Sequence, residues 1–382
     1  MNLIKQKKFL KLASLLAGFV ALQGTTSAQA TDKALLDTLV ANGVITSEQA
    51  AQIASDSRVT VSPNRGTVRE LRVRGRIQGQ AALSTGDGDE DYGTFEIRRA
   101  RIGVQGSLYE PYRFQIELNT LPSGVDLDSA YLRYVGIPEA SIEFGKNKPR
   151  FGHEENTSSA NILTVERSNL TNTLNGGKPV GLRVFGGLGV VEYYAGIFNG
   201  PNSGVVNPTD GIGFLYNASL GLNLDDVVGE GRSLRLRADV LYNDFEEEDG
   251  YGFETSGAFS LHFAMNPFDI RAEYMLGEDF SGNTLQGFYI MPSIKLTSQL
   301  EAVARYEFID SDTNNIRHQS RYARRQSGLS GRGDEYQAIY VGANYYVLGN
   351  NLKYMGGAEF ASLDGDSSTD AVTIYGAVRM QF

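Results

Sequence analysis

Three arginines stand two residues apart at Arg72, Arg74 and Arg76, and Gln78 and Gln80 continue the same parity. A second group follows at Arg98, Arg99 and Arg101, and Arg167 lies in a long polar stretch beside Glu166. Guanidinium groups spaced by two project from one face of an extended strand, where a row of fixed donors can replace the hydration shell of an anion. The same residues allow a blander reading. Glu96, Glu117, Glu143, Glu273, Glu301 and Glu307 are available to neutralise the arginines and leave a merely solvated wall. Other chemistry is sparse. His153, His262 and His318 have no metal-ligand spacing, no G-x-S-x-G nucleophile motif occurs, and there is no Cys to bind a metal as thiolate. Neither a cofactor nor an enzymatic activity is expected. The formal net charge of −10 argues against nucleic acid as a partner, since phosphate binding needs a basic footprint.

The elements carrying these arginines are strands. Leu71, Val73, Ile77 and Ala81 oppose Arg72, Arg74, Arg76, Gln78 and Gln80, and Ala100, Ile102 and Val104 oppose Arg99, Arg101 and Gln105. Ser233–Tyr242 repeats the pattern with Arg235, Arg237 and Asp239 on the polar face, where Arg271, Arg305 and Arg379 also fall in their own strands. Sixteen candidate strands run from 68–83 to 371–382, and the last reads AVTIYGAVRMQF, alternating up to Phe382. Short turns at 109–111, 136–139, 187–189, 266–267, 297–298 and 348–350 alternate with longer polar loops at 84–93, 148–178, 199–210, 243–251, 277–286 and 310–334. Short turns on one rim and long loops on the other predict an all-β fold, an antiparallel transmembrane barrel of sixteen strands with lipid outside and water inside. A charge facing lipid at mid-membrane costs about 2–4 kcal/mol, so the arginines are expected in the lumen.

Ahead of the barrel, residues 1–30 read as a secretory signal, with Lys5, Lys7, Lys8 and Lys11, an apolar core over Leu12–Leu22 and an Ala28-Gln29-Ala30 cleavage site. Residues 31–57 read as a short helical hairpin in the periplasm, and 58–382 as the barrel. The stretch 148–178 is too long for an ordinary connection, so it either folds into the lumen or packs outside over a neighbour.

FEIRRARIGVQGSLYEPYRFQIELN (Phe95–Asn119), DSAYLRY (Asp128–Tyr134) and FGHEENTSS…ERSN (Phe151–Asn169) resemble the phosphate-selective porin O and P family. The resemblance spans roughly 72–199 and implies a homotrimer of barrels in the outer membrane of a Gram-negative cell, passing small hydrophilic solutes, anions among them, by diffusion. By the same resemblance, Arg76, Arg98, Arg99 and Arg167 correspond to pore arginines, and Ser158 and Ser159 to hydroxyls of a constriction loop. Plain alternation turns only one of Arg98 and Arg99 inward, and both require a bulge. Phosphate-binding members carry a lysine after the F-G-x-E run. Here Glu155 stands there, and a carboxylate in a confined site repels phosphate. The competing reading is a structural barrel that touches the cell wall through 31–57.

Overall fold

The computed structural model describes residues 70–88, 90–120, 124–200, 213–245 and 252–382, with Val40 and Thr60–Val61. The expected signal (1–30) lies outside the described residues, as does the helical hairpin (31–57) apart from Val40.

Sixteen strands form one antiparallel ring. They are β1 (Glu70–Gly86), β2 (Tyr92–Ser107), β3 (Tyr112–Asn119), β4 (Asp126–Ile137), β5 (Ala140–Lys146), β6 (Val180–Leu188), β7 (Val191–Phe198) and β8 (Leu215–Asn223), followed by β9 (Arg232–Asn243), β10 (Thr255–Met265), β11 (Phe268–Glu278), β12 (Thr284–Lys295), β13 (Leu300–Ser311), β14 (Glu335–Tyr346), β15 (Leu352–Asp364) and β16 (Thr369–Gln381). Each strand pairs with the next, and β16 closes onto β1 from Ala371 opposite Gly86 to Gln381 opposite Arg76. The two-residue strand Thr60–Val61 also pairs with β1.

Alternation sets the two faces. Ile77 is 45% exposed while its neighbour Gln78 is 2% exposed, and Phe95 is 78% exposed on the outer face. Ile102, Phe144, Leu220, Phe259, Ile339 and Phe360 are likewise exposed, whereas Glu117, Glu143, Asp239, Glu273, Arg305 and Arg379 are buried within the ring. This arrangement inverts that of a water-soluble protein and suits a wall between lipid and an aqueous lumen.

The expected rims are present, with tight turns where the sequence has glycine. Gly189 between β6 and β7 and Gly349 between β14 and β15 take φ of 58° and 52°, a region open to glycine at little cost. The connection between β8 and β9 is longer because it holds a short helix, α3 (Asp225–Val228), whose first residue accepts hydrogen bonds from Ser233 and Leu234. On the opposite rim, β1, β2, β11 and β12 extend into the predicted loops, so those two hairpins are shorter than the sequence suggested.

Two long connections turn inward. The one between β5 and β6 carries α1 (His153–Asn156) and α2 (Asn169–Thr173). Its Phe151, Leu170 and Leu174 are buried against Leu215, Leu241 and Met275 of the far wall. The lumen-folded alternative is therefore the correct one. The connection between β13 and β14, expected as one of the longer polar loops, also buries His318, Tyr322, Ala323 and Leu329. Asp312, Asn314, Arg317, Arg325, Ser327, Gly328 and 330–332 remain exposed along it.

Candidate functional site: the constriction and its arginines

The inward loop is held by the wall, and the wall's cations do much of the holding. Loop carbonyls of this kind face no strand partner and, once buried, need donors. Arg305 on β13 donates through Nη1 to Thr164 Oγ1 at 3.2 Å and to the Glu166 carbonyl at 3.1 Å. Lys353 on β15 donates to the Ile162 carbonyl at 2.9 Å, and Asn344 on β14 to the Leu163 carbonyl at 2.9 Å. Arg379 on β16 donates to the carbonyls of Ser159 and Val165. Backbone amides of the loop reach acids in return. Leu170 N–H donates to Glu307 at 2.7 Å and Glu154 N–H to Glu273 at 2.9 Å. Arg305 meanwhile faces the carboxylates of Glu154, Glu307 and Glu359 at 3.4, 3.8 and 3.4 Å. Arg305 and Arg379 are thus loop tethers, not open pore-lining charges.

The predicted site residues divide into three groups. Five of them meet at the inward loop. Arg76 donates through Nη1 to Ser159 Oγ at 2.9 Å, Gln78 donates to the same oxygen at 3.1 Å, and Arg99 donates to Gln78 Oε1 at 3.1 Å. The buried Arg76 Nε–H has no hydrogen-bond acceptor among the described residues. Arg98 also points inward, because the pairing of β1 with β2 shifts between Gln78 and Gly79, so that Gln78 faces Arg99 and Gly79 faces Ile97. That bulge places Arg98 Nε 2.8 Å from Glu166. Burial pushes the Glu166 carboxyl up, but the charges of Arg98 and Arg99 and a hydrogen bond from Gln80 outweigh it and bring it to about 2. Arg167 donates to the Glu154 and Thr157 carbonyls at 3.0 and 2.8 Å and lies 3.3 Å from the Glu155 carboxylate.

A second group lies along the wall beside this cluster. Arg74 donates to Gln105 and Gln115 at 3.1 and 2.5 Å and lies 3.4 Å from Glu117. Arg101 reaches Asp128 at 2.8 Å, sharing that carboxylate with Lys178. These two arginines are compensated, as the neutralised-wall reading anticipated. The last two residues stand apart. Arg72, two residues from the start of β1, pairs with Glu70 at 2.5 Å. Ser158 caps a turn, its carbonyl accepting from the Asn161 and Ile162 amides at 2.8 and 3.2 Å. Glu155 ion-pairs with Lys148 as well as with Arg167, so one carboxylate occupies two cations of the loop.

Sequence reasoning missed a third basic element. A cavity of about 900 Å³ opens between the second inward loop, the start of β2 and α2. Arg98, Arg317, Arg321, Arg324, Arg325 and Arg332 line it, against the carboxylates of Glu96 and Glu166. The signal was in the composition, since 317–332 holds five arginines and no acid. It has no strand period, so a search by parity passes over it.

Comparison with known proteins agrees with this architecture. Residues 71–224 match the family described as phosphate-selective porin O and P. The structure of OprB from Pseudomonas putida at high pH aligns with a TM-score of 0.61 at 10% identity, covering 82% of this chain and 94% of that one. An anion-selective porin from Comamonas acidovorans aligns at 0.57 and 10% identity, over 82% and 99% of the two chains. The outer-membrane channel DcaP of Acinetobacter baumannii aligns at 0.53 and 15% identity, over 82% and 97%. At such identities the likeness is one of fold. No curated protein sequence matches the chain. The family match spans β1 to β8 of a closed barrel that carries an inward loop after its fifth strand, so this half of the ring is similar to the phosphate-selective porin O and P family.

Proposed function

We propose that the channel prefers anions and that Arg76, Arg99 and Ser159 form its narrowest solute contact. The observation that carries this reading is charge compensation. Arg74, Arg98, Arg101 and Arg167 each have a carboxylate partner, whereas Arg76 and Arg99 have no ion pair within 4.0 Å among the described residues. A guanidinium without a contact ion pair in a narrow, partly desolvated lumen acts on a passing ion far more strongly than one at an open surface. Ser159 Oγ accepts from Arg76 and Gln78, which leaves its own hydrogen free to donate to an anion. We also infer that the chain assembles as a homotrimer, as the family match over residues 71–224 suggests, after export directed by residues 1–30. The 31–57 segment serves on the periplasmic side.

Glu155 makes strict phosphate specificity the weaker version of this proposal, because its carboxylate engages Lys148 and Arg167. The test is the reversal potential of single channels in a potassium chloride gradient. Wild type should reverse on the chloride side, and Arg76→Ala and Arg99→Ala should each move it toward potassium, most at low salt where screening is weak. An unmoved reversal potential in both variants would assign the preference elsewhere.

A further inference from the structure

The basic vestibule has more charge and more room than small-ion conduction requires. Of its six arginines, Arg98 pairs with Glu166 and Arg321 with Glu96, at 2.8 and 2.5 Å. Arg317, Arg324 and Arg325 make no ion pair or side-chain hydrogen bond among the described residues, and Arg332 reaches only the Asn315 carbonyl, at 3.2 Å. Arg324 is held below its ordinary range by burial and by the charges of Arg317 and Arg321, as expected for like charges gathered around one space. The second inward loop keeps them there through specific contacts. Ser320 accepts from Thr373 at 2.7 Å, Tyr322 donates to Glu96 at 2.7 Å, and Asn169 of α2 donates to the Arg317 carbonyl at 2.7 Å.

The rest of the lining also offers acceptors that a bare inorganic anion cannot use. The side-chain carbonyls of Asn169 and Asn172 and the hydroxyl of Thr173 have no donor among the described residues. A fully ionised phosphate chain has no protons to offer them, whereas the hydroxyls of a polyol donate as well as accept. The cavity, about 900 Å³, matches the upper range of pockets that enclose whole organic ligands.

We propose that this vestibule binds a polyol bearing three or more phosphate or sulfate groups, on the long-loop side of the constriction. The proposal rests on the anion-channel reading. Its anionic groups would occupy the guanidiniums of Arg317, Arg324, Arg325 and Arg332, and its hydroxyls would meet Asn169, Asn172 and Thr173.

The test uses the full channel in a planar bilayer, with inositol trisphosphate and tripolyphosphate as blockers of similar charge. Added on the long-loop side, inositol trisphosphate should half-block the chloride current at about one-tenth the concentration that tripolyphosphate needs, as expected from one or two added hydrogen bonds. Asn172→Leu should remove most of that difference. Arg317→Ala with Arg325→Ala, a change to two exposed side chains, should raise both blocking concentrations. Equal block by the two anions in the wild type would overturn the polyol reading, and unchanged block in the double arginine variant would overturn the site. A wild-type channel without chloride preference would instead sink the anion-channel reading on which the proposal stands.

Discussion

At the scale of single residues, the lumen depends on which charges have partners. Glu155 holds Lys148 and Arg167 together, so Glu155→Gln should release two cations into the loop. The expected result is a several-fold fall in the phosphate concentration that half-blocks chloride current, largest at low salt. An unchanged value would mean that the two cations do not face solute. Glu166 gives a pH test. Its carboxyl is brought to about 2, below the ordinary value of about 4.3, so its stabilising contribution is complete above the ordinary value and is lost progressively as pH falls from there to about 2. Hydrogen exchange over 162–170, corrected for its intrinsic rate, should therefore be as slow at about pH 5.5 as at about pH 7. Rapid exchange at about pH 5.5 would show that the contact between Arg98 and Glu166 does not hold the loop. Much of this was legible in the sequence, because parity alone turns Arg76 and Gln78 inward. The orientation of both Arg98 and Arg99 was not, since alternation allows one and the bulge at Gln78 depends on pairing with another strand. Compensation was hidden too. Nothing in the local order of residues reveals that Asp128 answers Arg101 whereas Arg76 faces Ser159.

At the scale of elements, the inward loop is a backbone without strand partners, satisfied by side chains from the wall. Removing one such group should cost more than its own contacts. Arg305→Ala would leave Glu154, Glu307 and Glu359 clustered and buried without their shared cation. Breaking a buried ion pair by deleting one partner typically costs about 3–5 kcal/mol. The variant should lose its heat-resistant folded form at a clearly lower temperature and conduct with noisier, larger currents. A variant as heat-resistant as wild type would mean that the apolar contacts of Phe151, Leu170 and Leu174 carry the loop alone. The strands themselves were readable, because a period of two bounded by turn residues is a local signal. The path of the 312–334 loop was not. Its anchors, Gln80, Glu96, Arg167 and Thr373, lie far away in sequence, and its own composition looks like that of any external loop.

At the scale of the whole molecule, the ring depends on one seam. The amide and carbonyl of Gly75 exchange hydrogen bonds with Phe382 at 2.9 and 3.1 Å, and a Cβ built on Gly75 would come within 2.3 Å of the Phe382 ring. Gly75→Val should therefore force the Phe382 ring aside and reduce the yield of inserted channels while leaving export intact. Heat-modifiable channels formed normally by the valine variant would show that the seam tolerates displacement of the ring. The alternating polarity that predicted a barrel was legible along every strand, and closure followed from the need to leave no edge unpaired. The pairing of this glycine with this aromatic residue was not legible, since it joins opposite ends of the barrel sequence.

The tethers of the inward loop also impose an order in time. The loop follows β5, but Arg305, Asn344, Lys353 and Arg379, which cap its carbonyls, belong to β13, β14, β15 and β16. These carbonyls stay uncapped until the last quarter of the barrel arrives, although the loop meets β1, β8, β9 and β11 earlier. Full anchoring of the narrowed pore and closure of the ring therefore form one late event. A barrel stalled before that event would have neither a sealed wall nor a selective aperture, so a partly assembled molecule never presents the cell with a closed but indiscriminate hole.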